Sequence, residues 1–213
     1  LKNNSINIFF AMKLFRVIVL VIGVAFFSFN TMAQSPLAFS VEAGWNLSKP
    51  TDTDKAKSGF NIGASVEYGF AGNWFVDGGL RLTSKPWEIN YEGYNDLTLK
   101  ATPYYLNIPV KVGYRYGVSD CVALTLSAGP YVGCGLWGKG KESLSSGGDI
   151  DNIFDDYMKR FEVGGIVRIG AELMKHYVIS AEYSLQFNDF DKGNEGPGAC
   201  RNQVFSVNLG YRF

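Results

Sequence analysis

The sequence predicts an all-β fold: eight antiparallel strands closed up-and-down into a transmembrane β-barrel, behind a cleaved signal peptide. Three observations carry that prediction. Apolar and polar side chains alternate over long stretches, the period of a strand whose two faces meet different surroundings. The apolar faces of the eight stretches hold no charged residue, and aromatics cluster at their ends. Long polar connections and short turns alternate along the chain, as in a barrel with loops at one end and tight turns at the other.

Thr102–Tyr116 is the clearest strand. Thr102, Tyr104, Leu106, Ile108, Val110, Val112, Tyr114 and Tyr116 form its apolar face, and Pro103, Tyr105, Asn107, Pro109, Lys111, Gly113 and Arg115 the other. A strand that crosses a bilayer needs about 9–11 residues, whereas strands of soluble domains average about 5–6. Pro109 cannot donate to a ladder, which predicts a bulge or an inward kink there.

The remaining strands follow in order. Leu37–Leu47 sets Leu37, Phe39, Val41, Ala43, Trp45 and Leu47 against Ser40, Glu42, Gly44 and Asn46. After the polar loop Ser48–Lys57, the stretch Gly59–Phe70 sets Phe60, Ile62, Ala64, Val66, Tyr68 and Phe70 against Asn61, Gly63, Ser65, Glu67 and Gly69. Ala71-Gly72-Asn73 has hairpin-turn chemistry. The third strand sets Trp74, Val76, Leu80 and Leu82 against Asp77, Gly79, Arg81, Thr83 and Lys85. Pro86 then breaks the ladder, and the apolar Trp87, Ile89 and Tyr91 fall on the wrong parity, which predicts a bulge. A loop centred on Glu92–Asp96 leads into Thr102–Tyr116. Val118-Ser119-Asp120 turns into Cys121–Trp137, and Gly138–Asp156 is the longest predicted loop. Tyr157–Leu173, the turn Lys175-His176, Tyr177–Phe187, the loop Asn188–Asn202 and Gln203–Phe213 complete the set.

A soluble barrel also alternates, but it turns its apolar face inward and covers its outside with charge. Here the polar faces are mainly Gly, Ser, Thr and Asn with a few ions, as a narrow interior requires, and the aromatics Trp45, Tyr68, Phe70, Trp74, Tyr114, Tyr116, Trp137, Tyr177, Phe187 and Tyr211 suit two membrane interfaces. The inner faces carry Glu42, Glu67, Asp77, Glu162, Glu172 and Glu182 against Arg81, Lys85, Lys111, Arg115, Arg168 and Arg212. Eight strands enclose a space just wide enough for side chains. An unpaired ion there costs several kcal/mol, so these residues are expected to pair into a charged network that fills the lumen. The competing expectation is a narrow channel lined by the same ions.

The N-terminal region carries targeting signals. Met12 stands in a plausible start context, which makes Leu1–Ala11 upstream sequence or an alternative start. Lys13 and Arg16 precede the apolar Val17–Phe27, and Thr31-Met32-Ala33 offers a small-residue cleavage site. This predicts a secretory signal peptide and upstream residues over 1–33, and a barrel domain over 34–213. The expected location is the outer membrane of a Gram-negative bacterium, with both ends of the barrel in the periplasm.

Among 213 residues, 20 basic and 20 acidic side chains cancel, so nothing points to nucleic acid. Three cysteines, Cys121, Cys134 and Cys200, make no disulfide framework. Gly133, Gly138 and Lys139 mimic part of a phosphate loop, but Gly140 stands where Ser or Thr is needed. The loop carboxylates Asp149, Asp151, Asp155, Asp156, Asp189, Asp191 and Glu195 miss calcium-loop spacing, because Gly193 sits where an acid belongs. His176 is the only histidine. No catalytic, cofactor or metal residues are therefore assigned.

The run Tyr104-Tyr105-Leu106-Asn107-Ile108-Pro109, continuing to Tyr114-Arg115-Tyr116, resembles a recurring strand of the outer-membrane β-barrel, or porin-family, proteins of Bacteroides-type bacteria, which include PorT-like proteins. Gly210-Tyr211-Arg212-Phe213 is similar to the ends of that family. The resemblance implies an eight-stranded barrel of OmpA or OmpX type. It also implies an assembly signal at Tyr211 and Phe213 read by the barrel-assembly machinery. It implies no defined activity. The expected partners are outer-membrane lipid, lipopolysaccharide, the assembly machinery, and an extracellular or envelope protein at the loops. The expected role is a structural or interaction scaffold.

Overall fold

The computed structural model describes residues 37–51, 55–91, 97–143, 149–156, 158–190 and 200–213. The predicted signal peptide, the loop centre Glu92–Asp96 and the carboxylates Asp191 and Glu195 lie outside them.

The described residues form ten strands and one short helix: β1 (Leu37–Pro50), β2 (Lys57–Ala71), β3 (Trp74–Ser84), β4 (Trp87–Tyr91), β5 (Leu97–Ser119), β6 (Val122–Ser143), β7 (Asp149–Ile150), α1 (Ile153–Asp156), β8 (Phe161–Leu173), β9 (Tyr177–Gln186) and β10 (Asn202–Arg212). The antiparallel pairings run β1-β2-β3-β5-β6-β8-β9-β10 and return to β1, a closed ring of eight. Closure leaves no unpaired edge within the ring. β4 continues the line of β3 along β5, and β7 pairs with the far end of β6.

Short turns join β2 to β3, β5 to β6 and β8 to β9, all at one end. The long connections lie at the other. In the last turn Met174 and Lys175 both hold positive φ, at 53° and 66°, and the His176 amide donates to Leu173 O at 3.1 Å. Those are the two central residues of a primed hairpin turn. The turn therefore sits one residue earlier than Lys175-His176.

The outward face is apolar and bare. Leu126, Val167, Ile169 and Leu209 are between 54% and 63% exposed, in company with many other aliphatic residues around the ring. Water-soluble monomers rarely expose an apolar patch beyond a few hundred Å², so a continuous belt of this kind is a lipid-facing surface. Aromatic rings end the belt on both sides. At the turn end Trp74 meets Tyr114 at 5.2 Å, and Tyr211 meets both Tyr177 and Phe213. At the loop end Phe60, Tyr104 and Trp137 form a chain of ring contacts.

Three local expectations are corrected. No bulge follows Pro86: Ser84 pairs with Tyr104 and Trp87 with Ala101, the same register on both sides. Trp87 therefore keeps the inward parity of Lys85 and is buried. Its apolar side chain suits the inside because β4 stands among apolar residues from the loops. Pro109 causes no bulge either, since its pairing with Tyr131 lies in unbroken register with Val112 opposite Ala128. It simply points inward. Gly138–Asp156 is not all loop. β6 runs to Ser143 opposite Thr98, and β7 and α1 follow. The irregularity in this region is at Leu136, the extra residue between the pairs Tyr105–Gly135 and Tyr104–Trp137. That bulge turns Trp137 outward and Gly138 inward.

Candidate functional site

The inside of the barrel is built by the inward positions of every strand. The twelve charged residues assigned to it from the sequence all occupy inward positions, and each forms an ion pair. They fall into tiers.

Nearest the turns lies a square of alternating charge. Arg115 lies 2.8 Å from Glu67 and 3.1 Å from Glu172, while Arg212 lies 2.8 Å from Glu67 and 3.3 Å from Glu172. Four strands, β2, β5, β8 and β10, are tied together by it. The Arg115 guanidinium also rests over the Phe75 ring at 5.1 Å. Next comes Lys111 with Asp77 at 2.9 Å, a directly opposed cross-strand pair. Above it a second square joins β1, β3, β8 and β9: Arg81 bonds Glu42 and Glu182, and Arg168 lies 2.7 Å from Glu42. Each guanidinium presents a fork of donors and each carboxylate two acceptors, which lets one residue bond two partners in such a square, although Glu182 Oε2 and Arg212 Nε are left without a hydrogen bond.

A layer of amides follows, from Asn46, Asn61, Asn107, Gln186 and Asn202. Within it Asn46 Nδ2 donates to Ser84 O at 2.8 Å, and Asn202 Nδ2 donates to Gln186 Oε1 at 3.2 Å. The last ion pair, Lys85 with Glu162 at 2.5 Å, is fully buried. Its ammonium lies 4.8 Å from the Tyr105 ring centre and 5.3 Å from that of Tyr131. Gly133 is required beside it, because a Cβ there would fall 2.6 Å from Glu162 Cγ.

Over this pair the interior changes character. Trp87, Ala101, Tyr105, Ile153, Phe154, Met158, Phe190 and Cys200 pack into an apolar cluster at the loop end. Tyr105 meets Phe154 edge-on at 5.4 Å. Gly135, inward-facing on β6, leaves the notch that the Phe154 ring fills. Arg160 holds the segment from outside, donating to the carbonyls of Gly135 and Leu136 beside the bulge.

A pocket of about 270 Å³ opens at the turn end beside Arg115, Glu172 and Arg212, but the space enclosed between the tiers is small. A cavity of about 50 Å³ lies between the two charge squares, and one of about 10 Å³ beside Asn61 and Thr83. Such volumes hold a few waters. Among the described residues no group of three or more His, Cys, Asp or Glu has metal-site geometry. His176 Nδ1 lies 2.8 Å from Arg212 O, and its ring stacks on Tyr211. Asp155 is taken up by Arg160 at 2.9 Å.

A family model described as outer membrane protein beta-barrel domain matches residues 19–213. The chain belongs to that family. This outer-membrane barrel is therefore an integral membrane protein of the bacterial outer membrane, which agrees with its lipid-facing belt. Comparison with curated protein sequences returns no match. Among solved structures it is similar to Ail, the attachment invasion locus protein of Yersinia pestis, at 20% identity over 83% of this chain and 99% of that one, with a TM-score of 0.44. It is also similar to OprG of Pseudomonas aeruginosa, at 17% identity over 84% and 97%, with a TM-score of 0.48. Neisserial surface protein A is similar at 15% identity over 83% and 99%, with a TM-score of 0.45. Likeness at this level carries no argument about activity.

Of the inward aromatics Tyr105, Tyr131 and Trp87, sequence reasoning set the two tyrosines on polar faces and missed Trp87. Tyr105 and Tyr131 lie on polar faces by parity, and Trp87 keeps the parity of Lys85. Parity alone locates all three. Reading apolar residues as outward is what hid Trp87.

Proposed function

We propose that this barrel is a non-conducting, non-catalytic scaffold of the outer membrane, of the Bacteroides-type, PorT-like kind, which engages an extracellular or envelope partner through its loop end. In this reading the turns and the ends of β1 and β10 face the periplasm, and a leader over the first 33 residues directs export. The outward Tyr211 and Phe213 of the closing strand are what the assembly machinery reads.

The filled lumen carries the proposal. Every charge of the described inner tiers has an opposite charge beside it, the cavities between the tiers reach about 50 Å³, the wider pocket of about 270 Å³ beside Arg115, Glu172 and Arg212 lies at the turn end, and an apolar cluster covers the loop end. A conducting pore needs a continuous wet path, and an eight-stranded ring has little room for one. The loop end, by contrast, is built up: β5 and β6 run 23 and 22 residues, about twice what a membrane crossing takes. That rigid extension supports a binding surface.

The test is single-channel recording of refolded protein in a planar bilayer, with the unboiled gel shift as proof of folding. Silence from folded, inserted protein is the expected result. Stable steps whose ion selectivity changes in Arg115→Ala or Arg168→Ala would overturn the filled-lumen reading in favour of a small channel.

A further inference from the structure

The pocket at the turn end has no part in filling the lumen. It is lined by residues 119–123, around the turn between β5 and β6, by Lys175 of the turn between β8 and β9, and by Arg115, Glu172 and Arg212 of the lower charge square. Those last three hold inward positions, so the barrel wall separates the pocket from lipid. Its volume of about 270 Å³ approaches the low end of small-molecule sites, about 300 Å³, and is more than a simple ion fills.

The hydrogen-bonding capacity left over in the square is donor capacity. Both oxygens of Glu67 and both of Glu172 accept from the two arginines. Arg115 uses Nε and Nη2 for those bonds, and its Nη1 has no partner among the described residues. Arg212 Nε is likewise without one. The two side chains are still 25% and 22% exposed, so a solute can reach them. Lys175 adds an exposed ammonium at the rim, in a turn where its φ is 66°, and no described carboxylate lies within ion-pair distance of it. An anion is therefore the ligand this site can satisfy. Arg115, Arg212 and Lys175 are balanced in charge by Glu67, Glu172 and the rim residue Asp120, which suits a single negative charge better than a phosphate dianion.

We propose that this pocket binds the C-terminal carboxylate of a short peptide that ends in small apolar residues. The carboxylate accepts from Arg115 Nη1, and the Lys175 ammonium at the rim adds a second donor. A planar guanidinium matches a planar carboxylate. The last side chains occupy the remaining space, against Ala123 and Cys121. A bare inorganic anion would leave that space unfilled, and a lipid headgroup would have to cross the barrel wall. The inference goes beyond the loop-end scaffold reading and holds whether or not the lumen conducts, because the pocket lies on the turn side of the charge tiers. Only its placement in the periplasm rests on the orientation proposed above.

The test is calorimetric titration of the full barrel, folded in detergent micelles, with N-acetyl-L-Ala-L-Ala, N-acetyl-D-Ala-D-Ala, the C-terminal amide of each, and acetate. The two acids are expected to bind about tenfold or more tightly than their amides, the worth of one charge-assisted hydrogen bond, and more tightly than acetate. Preference for the L or the D acid tells a protein chain end from a cell-wall peptide as the source, and either preference supports the proposal. Cys121, exposed and lining the pocket, reports location: on a Cys134→Ser background the bound acid should slow its alkylation by a maleimide. Arg115→Lys keeps a charge beside Glu67 and Glu172 but removes Nη1, and should weaken binding about tenfold. Lys175→Gln should lose about threefold, with a flatter salt dependence. Ala123→Leu fills the pocket without touching the square and should abolish binding. Lys141→Gln, at the far end of β6, should change nothing. The gel shift checks folding, and because Lys175 and Ala123 lie outside the square, those two variants carry the test even if Arg115→Lys does not fold. Equal binding of the amides or of acetate, unchanged affinity in Ala123→Leu, or binding that leaves Cys121 unprotected overturns the proposal.

Discussion

The lower and upper halves of the lumen fill the same kind of space by opposite means. Toward the turns, the inward positions are ions and amides, organised into two charge squares and two single pairs. Toward the loops, the inward positions are aromatic and aliphatic, joined by Phe154, Met158, Phe190 and Cys200 from the connections. The difference follows from what surrounds each half. Within the lipid belt the outside of every strand is already apolar, and the inside is too narrow for bulky side chains from eight strands at once, so small and polar residues fill it and their charges must pair. Above the belt the strands leave lipid. There the loops fold inward and can bury apolar surface as any water-soluble domain does.

That contrast can be broken most forcefully at the centre of the ionic half. Glu42→Ala leaves Arg81 and Arg168 each short of a carboxylate in a buried setting. The expected cost is about 3–5 kcal/mol, read by urea unfolding of the refolded barrel in lipid vesicles. A loss under about 1 kcal/mol would mean that water, and not pairing, holds these charges.

The border between the halves is sharpened by a double-mutant cycle on Lys85 and Glu162. Lys85→Met alone strands a carboxylate under the aromatic cover and should cost about 3 kcal/mol. Lys85→Met/Glu162→Leu should recover most of that loss, because an apolar pair suits a site already roofed by Tyr105 and Phe154. The same exchange at Arg81 and Glu182 should recover less, since Glu42 and Arg168 stay paired with each other but each loses the second partner it has in the square.

In the apolar half, Phe154→Ala empties the notch at Gly135. Cavity formation by loss of a buried phenylalanine costs about 3 kcal/mol or more, but here the segment can undock. Amide exchange should therefore accelerate across Ile153–Met158 while the midpoint of barrel unfolding barely moves. Bilayer recordings of this variant should stay silent, because the ion tiers lie beneath.

The smallest effect concerns the surface strap of the loop end. The bond from Lys57 holds the Glu88 carboxyl below the usual carboxylate range. A carboxyl depressed in the folded state stabilises fully above its unfolded value, near pH 4.3, and loses that contribution as pH falls through its lower folded value. Amide exchange in β4 should thus rise only in acid below about pH 4, and Glu88→Gln should abolish that rise.

The lipid-facing belt and the inner charges were legible because a strand has a period of two. Once Glu42 is inward, so are Asn46 and Ser48, and the absence of charge from the opposite face identifies lipid. Two prolines misled because proline signals a broken ladder in general, yet Pro86 and Pro109 sit in registers that do not shift. Trp87 was illegible for a different reason. Its parity was plain, but whether the inside is polar or apolar at that height depends on which loops return to cover it.

By itself, then, the sequence determined the eight strands of the ring, their inward and outward faces, the six acids and six bases of the interior, and the aromatic ends, since these depend on alternation within single strands. Tertiary structure alone decided which charges meet: Arg81 bonds Glu42 and Glu182, which lie 39 and 101 residues away, and Arg115 shares its carboxylates with Arg212. It also decided that Lys100 faces Lys141, and that Phe154 and Phe190 close the loop end. Those partnerships are set by closure of the ring and by the stagger between neighbouring strands, and no local pattern encodes either.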